Sequence, residues 1–487
     1  MKVLFASSEV WSLVKTGGLG DVAYSLPHAL HKLGEDVRIV LPAYRDVLKK
    51  FSCIEILGWL PLTLAGVTRS VRILQASHEE FAMPILLIDC HDLFDRPGNP
   101  YVHEDGYDWP DNAERFALFS EAVARLAMDD LKIGWKADVV HSNDWQCGLI
   151  PAFLDNEAER PRRIFTIHNM AYGGNYSHDE FNHLRLPSQW WSAEGVEFYG
   201  NFSMLKAGLI YSDMITTVSP TYAEEICTPS FAYGMEGVLS SRRYKLKGIL
   251  NGIDSDVWNP EKDPLLPYHY SEKRRNPGKK NNKKALLETF GIAATTDNLT
   301  APLFGLVSRL VEQKGVDMVI EAIPQLLETS DANFVIIGKG HPHFEAQLLQ
   351  LNEQYPDRVM TMIGYSEEKA HLLEAGCDIF LMPSRFEPCG LNQLYSLRYG
   401  SIPIVHRTGG LADTVVDTQL ENGSINQTAT GFVIDTPTTS ELIKAMRRAL
   451  LLFPQKKLWN QLQRTAMQQD FGWEKSAKEY IHLYRND

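Results

Sequence analysis

Lys15-Thr16-Gly17-Gly18-Leu19-Gly20-Asp21 and Arg407-Thr408-Gly409-Gly410-Leu411-Ala412-Asp413 share one pattern, basic-Thr-Gly-Gly-Leu-small-Asp, in opposite halves of a 487-residue chain. Each stands at or just beyond an apolar, β-rich run (Val3 to Ala6; Ile402 to Val405) and before a helical pattern. At such a turn glycine lets backbone amides close on an anion at a helix start. The expected anion is a phosphate. Two such turns in two α/β halves suggest facing domains with a phosphorylated ligand in the cleft between them, although a seven-residue echo by itself establishes no duplication.

Working outward, short β-branched runs alternate with helical patterns: Lys2 to Phe5, Asp36 to Leu41, Pro84 to Asp89, Ala137 to Asn143, Arg163 to Asn169 and Met214 to Ser219. The rhythm resumes with Leu303 to Leu310, Asn333 to Gly338, Arg358 to Ile363, Asp378 to Pro383 and Ile402 to Val405. This is the βαβ signature of two parallel sheets. The predicted border lies near Asn251 to Pro260, giving domains over 1–250 and 251–457 and a C-terminal helix over 458–487. The polar stretch Asn259 to Asn298 carries Lys273, Arg274, Arg275, Lys279, Lys280, Lys283 and Lys284, and such a charge run reads as a solvated linker or surface loop.

Composition narrows the function classes. The chain is too long for one core and suits two large domains. A net charge of -13 repels polyanions, which argues against nucleic acid and anionic membranes as partners. An anionic ligand then needs local cations. The six cysteines form no CxxC pair, so free thiols in a reducing compartment are expected, without structural zinc. Lys2-Val3-Leu4-Phe5 opens directly as a strand, with no signal stretch before it and no run of 18 apolar residues anywhere. A soluble, cytoplasmic protein is expected.

In open parallel sheets the ligand lies beyond the carboxyl ends of the strands. The residues there are polar: His141, Asn143, Asp144 and Trp145; His168 and Asn169; Ser308, Arg309 and Lys314; Ser384, Arg385, Glu387 and Cys389. Any one of these suits an ordinary loop, but their joint placement points to a site. Gly338-Lys339-Gly340 lacks the third glycine of a dinucleotide fingerprint, and no GxxxxGK[ST] or GxSxG occurs. Asp254-Ser255-Asp256 has the DxD spacing of a diphosphate-bound metal but reads better as a turn. No other cluster has metal-ligand spacing. The tract His91 to Asn112, with Tyr101, Tyr107 and Trp109, offers aromatic faces for sugars or for a buried loop.

These residues carry a resemblance that runs nearly end to end. Besides the two Thr-Gly-Gly-Leu loops it includes His141-Ser-Asn-Asp-Trp145, His168-Asn169, Phe198-Tyr-Gly200 with Lys206-Ala-Gly208, Val218 to Tyr222, Asn251-Gly-Ile-Asp254 with Trp258-Asn-Pro260, Arg309 to Gly315 and Pro383 to Leu391. The chain resembles the bacterial glycogen synthases, a family shared with plant starch synthases. Eight positions after Glu387 stands Tyr395, as in that family, where other transferases of this fold commonly have a second glutamate. Asn392 replaces a common Thr and Gly173 a common Gln, and the plant transit segment is missing, which favours the bacterial type.

The resemblance implies the GT-B architecture: α/β, with two Rossmann-like parallel-sheet domains facing across a cleft and the C-terminal helix crossing back to the first. It implies a retaining transfer of glucose from ADP-glucose to the non-reducing 4-hydroxyl of glycogen or another α-1,4-glucan. A related enzyme using UDP-glucose or another acceptor is the alternative. Neither cofactor nor metal is expected. The implied catalytic residues are Glu387, Arg309, Lys314, His168 and Asp144. Lys15, Gly17, Gly18, Asp21, Asn169, Asn251, Tyr365, Cys389, Gly390, Leu391, Thr408, Gly409 and Gly410 would bind the nucleotide sugar, with Tyr365 under the adenine. Tyr101 and Trp145 would meet the acceptor.

Overall fold

The computed structural model describes residues 1–485; Asn486 and Asp487, the last residues of the expected C-terminal helix, lie outside them. The chain forms two compact units: Met1–Gly252 with the segment beginning at Trp473, and Ile253–Gly472.

The sheet of the first unit has nine strands, in the order Leu246–Gly248, Met214–Thr217, Arg162–Ile167, Val139–Asn143, Lys2–Ala6, Asp36–Pro42, Ile85–Asp89, Val67–Ala76 and Ile54–Leu64. The first seven pair in parallel. Val3, Leu4, Phe5 and Ala6 are fully buried, as expected of a central parallel strand with both faces covered. The final two strands form an antiparallel hairpin on that edge, which the βαβ reading does not anticipate. Its two-residue turn puts Ala65 and Gly66 at φ 52° and 74°. Alanine there hides the Asn-Gly or Asp-Gly signal by which such turns are recognised.

The second unit holds a six-stranded parallel sheet, in the order Val359–Ile363, Asn333–Gly340, Leu303–Leu310, Ile379–Met382, Ile402–His406 and Phe432–Ile434. Its five predicted strands appear near their expected bounds. Phe432–Ile434, only three residues long, is too short to show a strand pattern in the sequence.

Two expectations are corrected. Gly278–Thr289 is a helix, and its basic run is not a solvated loop. Lys279 is buried, with Nζ donating to Ala375 O, Tyr399 O and Ser401 Oγ, and Lys283 Nζ donates to Ala301 O and to Asp378 Oδ2 at 2.6 Å. Helical spacing turns these two lysines inward while Lys280 and Lys284 face water. The C-terminal region is also two helices. Lys456–Met467 belongs to the second unit, and Trp473–Arg485 to the first. The chain changes unit at a turn in which Asp470 Oδ1 accepts from Gly472 N. The last helix is fixed by Ser476 Oγ donating to Leu250 O and by Arg485 reaching Glu35.

Candidate functional site

In the first unit the Lys15 loop is held from within. Glu9, buried just beyond the first strand, accepts from Thr16 N, Thr16 Oγ1 and Gly17 N, and its Oε1 also accepts from Tyr101 OH at 2.6 Å. Ser8 Oγ lies 2.7 Å from the same hydroxyl. Lys15 pairs with Asp21 at 2.8 Å. Gly17, which was expected to offer its amide to a phosphate, donates it to a carboxylate, and Gly18 opens the helix Gly18–Lys32. Glu9 was missed by sequence reasoning. The signal was present: Ser7-Ser8-Glu9 follows the strand Lys2–Ala6, in the strand-end position that singled out the other candidates.

Asp144 follows the strand Val139–Asn143 and adopts φ 57°, a left-handed conformation uncommon outside glycine. Its Oδ1 accepts from His168 N at 2.8 Å, which fixes the turn bearing His168 and Asn169. Burial pushes the Asp144 carboxyl up to about 7, against the pull of the His168 and Asn169 amides. His168 Nε2 lies 3.0 Å from Asn143 Oδ1, and burial pushes its imidazole down to about 3, so it is neutral near pH 7. Asn169 Oδ1 accepts from Ala171 N. Trp145 meets Phe116 edge-on at 5.2 Å and lies under Gly174, where a Cβ would come within 2.4 Å of its ring. Asn251 is buried with no hydrogen-bond partner at Oδ1.

His141 is not on the rim with these groups. It is buried in the sheet between Thr166 Oγ1 and Tyr484 OH, under the C-terminal helix. The two-residue side-chain period of a strand sets it among core groups.

In the second unit, Arg309 is the next-to-last residue of the strand Leu303–Leu310, and its exposed guanidinium lies 3.5 Å from Gln313 Oε1. A short turn over Glu312–Lys314 and Gly315, at φ 69°, then starts the helix Val316–Leu327. Lys314 Nζ donates to Glu387 Oε2 at 2.5 Å, and Ser384 Oγ donates to the same oxygen at 3.0 Å. Arg385, read from the sequence as a strand-end candidate, instead forks onto Asp317 and clamps the loop to the helix.

Cys389, Gly390 and Leu391 lead into the helix Asn392–Tyr399, and Asn392 Nδ2 donates to Val307 O. Gly409 and Gly410 pack against this loop: a Cβ on either would lie about 2 Å from the carbonyl oxygen of Glu387 or Cys389. Gly410 N donates to Glu387 O and Pro388 O, so this amide serves the fold, contrary to the expected phosphate contact. Thr408 is buried just before the short helix Gly409–Thr414. The two echoed loops also differ in backbone, with Gly17 at φ -155° and Gly409 at φ 43°. Arg407 pairs with Asp435, whereas Lys15 pairs with the aspartate of its own loop.

Tyr365 follows the strand Val359–Ile363 with its ring exposed and its hydroxyl on Glu367. Tyr395 stacks at 3.6 Å on Trp258, which also stacks on His371 at 3.7 Å. Tyrosine at 395 therefore completes a buried stack below the loop. Asp254 Oδ1 caps the amides of Asp256 and Val257, and Asp256 pairs with Lys262, so the DxD segment is a turn. Among the described residues no group of three or more acidic, histidine or cysteine side chains is arranged for a metal, and no helix is long and apolar enough to cross a membrane.

The model of the starch synthase catalytic domain matches residues 2–241, and that of group 1 glycosyl transferases matches residues 291–466. The chain is 53% identical to a glycogen synthase of Hydrogenovibrio crunogenus, covering 100% of this chain and 99% of the relative. It is 48% identical to one of Cellvibrio japonicus, covering 99% of each. The catalytic domain of starch synthase IV from Arabidopsis thaliana, solved bound to ADP and acarbose, superposes with a TM-score of 0.88 at 33% identity, over 99% of this chain and 98% of that one. A sucrose-phosphate synthase from Thermosynechococcus elongatus, at 17% identity and a TM-score of 0.60, shares the fold. With two α/β units built on parallel sheets, the chain has the GT-B fold and belongs to the glycogen and starch synthase family of glycosyltransferases.

Proposed function

We propose that the protein transfers glucose, with retention, from ADP-glucose to the non-reducing 4-hydroxyl of an α-1,4-glucan. The observation that carries this reading is the group Arg309, Lys314 and Glu387, which sets two cations and a carboxylate at neighbouring strand ends. When the bond between the anomeric carbon and phosphate oxygen breaks, negative charge builds on the diphosphate and positive charge on the sugar. Arg309 and Lys314 are assigned to the diphosphate, where preorganised cations act without a metal. Glu387 faces the sugar and offsets its oxocarbenium character. The acceptor 4-hydroxyl enters on the face from which ADP leaves, its oxygen bonds to the anomeric carbon, and its proton passes to the diphosphate.

The ADP in the Arabidopsis structure supports an adenine nucleotide, and the exposed Tyr365 ring offers a face for the base. Cys389, Gly390, Leu391 and Thr408 are assigned to the same nucleotide sugar. The neutral His168 is suited to hydrogen-bond glucose hydroxyls, with Asp144 and Asn169 fixing its turn and Asn251 Oδ1 open to a donor. In the first unit Lys15 and the Glu9-bound loop adjoin Tyr101, which with Trp145 is assigned to the acceptor. The second unit is thus the nucleotide-sugar side and the first the glucan side, in a cytoplasmic enzyme without cofactor. Radiolabelled ADP-glucose and UDP-glucose, each with and without glycogen, test the reading by incorporation into insoluble product. Preferential incorporation from UDP-glucose overturns the donor assignment.

A further inference from the structure

Arg115 is among the largest side chains buried completely in the protein, with 1% of its surface exposed. A guanidinium cannot shed its charge, so burying it calls for a compensating anion. Its Nε donates to Leu93 O and its Nη1 to Pro100 O and Asn112 Oδ1, all of them uncharged acceptors. No carboxylate among the described residues pairs with it, and Nη2 is left uncommitted. Asp111, whose charge acts on Arg115 from a distance, is already engaged by Arg96. Arg115 also ends the first turn of the helix Asn112–Ala127, where the helix dipole favours an anion over a cation.

A second unmet group lies beside it. Tyr44 is 6% exposed, and its hydroxyl has no hydrogen-bond partner among the described residues. Burial pushes the ionisation of this phenol far up, so it stays a donor. Phe94 packs with both residues: the Tyr44 ring meets it edge-on at 5.9 Å, and the Arg115 guanidinium carbon is 5.6 Å from its centre. Tyr44 and Arg115 line one cavity of about 60 Å³, together with Val14, Arg96 and Asn99. Asp46 also borders it but pairs with Lys49. At about 10–15 Å³ for one water, the cavity has room for about four oxygen-sized atoms.

We infer that this cavity binds one small free oxyanion of the size of inorganic phosphate, with Arg115 as its cation and Tyr44 OH as a further donor. Buried donors left without acceptors are costly to the fold, and a single anion satisfies both at once through charge-assisted hydrogen bonds. The site is separate from Arg309 and Lys314, which belong to the second unit, and does not depend on the donor and acceptor assigned above. It has a structural consequence. An anion held by Arg115 also fixes Asn112, which accepts from Arg115 Nη1 and donates through Nδ2 to Tyr101 O. Val14 joins the cavity to the loop that begins at Lys15. Occupancy therefore braces the wall that carries Tyr101.

The test measures Tm and calorimetric binding with inorganic phosphate, at neutral pH and at an ionic strength held with sodium chloride. For a site of Kd ~1 mM, about 10 mM phosphate should raise Tm by about 3 °C. The double variant Arg309→Ala with Lys314→Ala should keep this shift. Tyr44→Phe should have a phosphate-free Tm equal to or above that of the wild type, because it removes a donor that has no partner, yet bind phosphate about tenfold more weakly. Arg115→Lys should lose the shift as well; Tyr44→Phe keeps the buried ring and decides the matter if the lysine variant does not fold. Glucose 1-phosphate, too large for the cavity, should shift the double variant by less than about a third as much. No shift in the wild type, or a full shift in Tyr44→Phe, leaves only water in the cavity and overturns the site. Loss of the shift in the double variant also overturns it, by placing the anion on Arg309 and Lys314. An equal shift with glucose 1-phosphate overturns the assignment to a free oxyanion.

Discussion

Lys314 Nζ lies 2.5 Å from Glu387 Oε2, so the cation assigned to the diphosphate and the carboxylate assigned to the sugar are held as one ion pair. Both side chains are largely shielded from water, and Ser384 adds a second donor to the same oxygen. Under the proposed assignments, a diphosphate at Lys314 would compete with Glu387 for its ammonium and free the carboxylate for the sugar.

The pair yields the first prediction. Glu387→Ala and Glu387→Gln should each lower kcat by ~10²- to 10³-fold. ADP should bind the alanine variant within about threefold of wild type or more tightly, because Lys314 no longer has an internal partner. Steady-state kinetics and calorimetry check this. A fall in ADP affinity parallel to the fall in kcat would move Glu387 to the nucleotide.

Arg309 and Lys314 are assigned to one diphosphate and should act together. Either alanine variant should lose ~10²- to 10³-fold in kcat, with the double variant less than additive in free energy. Lys314→Arg should not restore activity, since a planar fork cannot reproduce an ammonium's contact with Glu387 Oε2. Near-wild-type kcat in both single variants, with native circular dichroism, would remove the clamp.

Activity with ADP-glucose and glycogen should survive exhaustive chelation within about twofold, because fixed cations meet the leaving group and the Asp254-Ser255-Asp256 carboxylates are engaged in a turn. Loss of ~10²-fold, restored by Mg²⁺ or Mn²⁺, is the contrary result.

Asp144 gives a stability prediction whose sign follows from its shift. Its ordinary value is 3.8 and its folded value about 7, so between these the native state binds more protons than the unfolded chain. The stability this confers is complete below 3.8 and is lost as pH rises to about 7. The amide of an Asp144→Asn variant would have no such slope while still accepting from His168 N. The Tm difference, Asp144→Asn minus wild type, should rise from pH 4 to 7 and level off above. The buried histidines titrate in both proteins and cancel. A flat difference would show that the carboxyl is not shifted.

Lys279→Met keeps the stem but removes the Nζ donor from Ala375 O, Ser401 Oγ and Tyr399 O, the last of which keeps Tyr270 OH. A loss of about 1–3 kcal/mol is expected from unsatisfied buried groups, against near zero for the exposed Lys280 changed in the same way. Urea denaturation of the two variants distinguishes a structural cation from a solvated one.

Sequence alone determined the two parallel sheets, because their buried strands are uninterrupted runs such as Val3 to Ala6 and Phe334 to Ile337, legible without knowing their neighbours. It also located most of the candidate residues, since strand ends can be counted along the chain. What it could not reveal was which partner each polar group takes. Glu9 against Gly17, Lys314 against Glu387 and Asp263 against His371 are separated by 8, 73 and 108 positions, and such pairings arise only once the strands are laid side by side. The inward turn of Lys279 and Lys283 and the burial of His141 under a helix more than 300 residues away were likewise decided by tertiary structure. Burial and hydrogen-bond satisfaction depend on what packs against a residue, and local sequence carries the pattern of a face but not the identity of the surface that covers it.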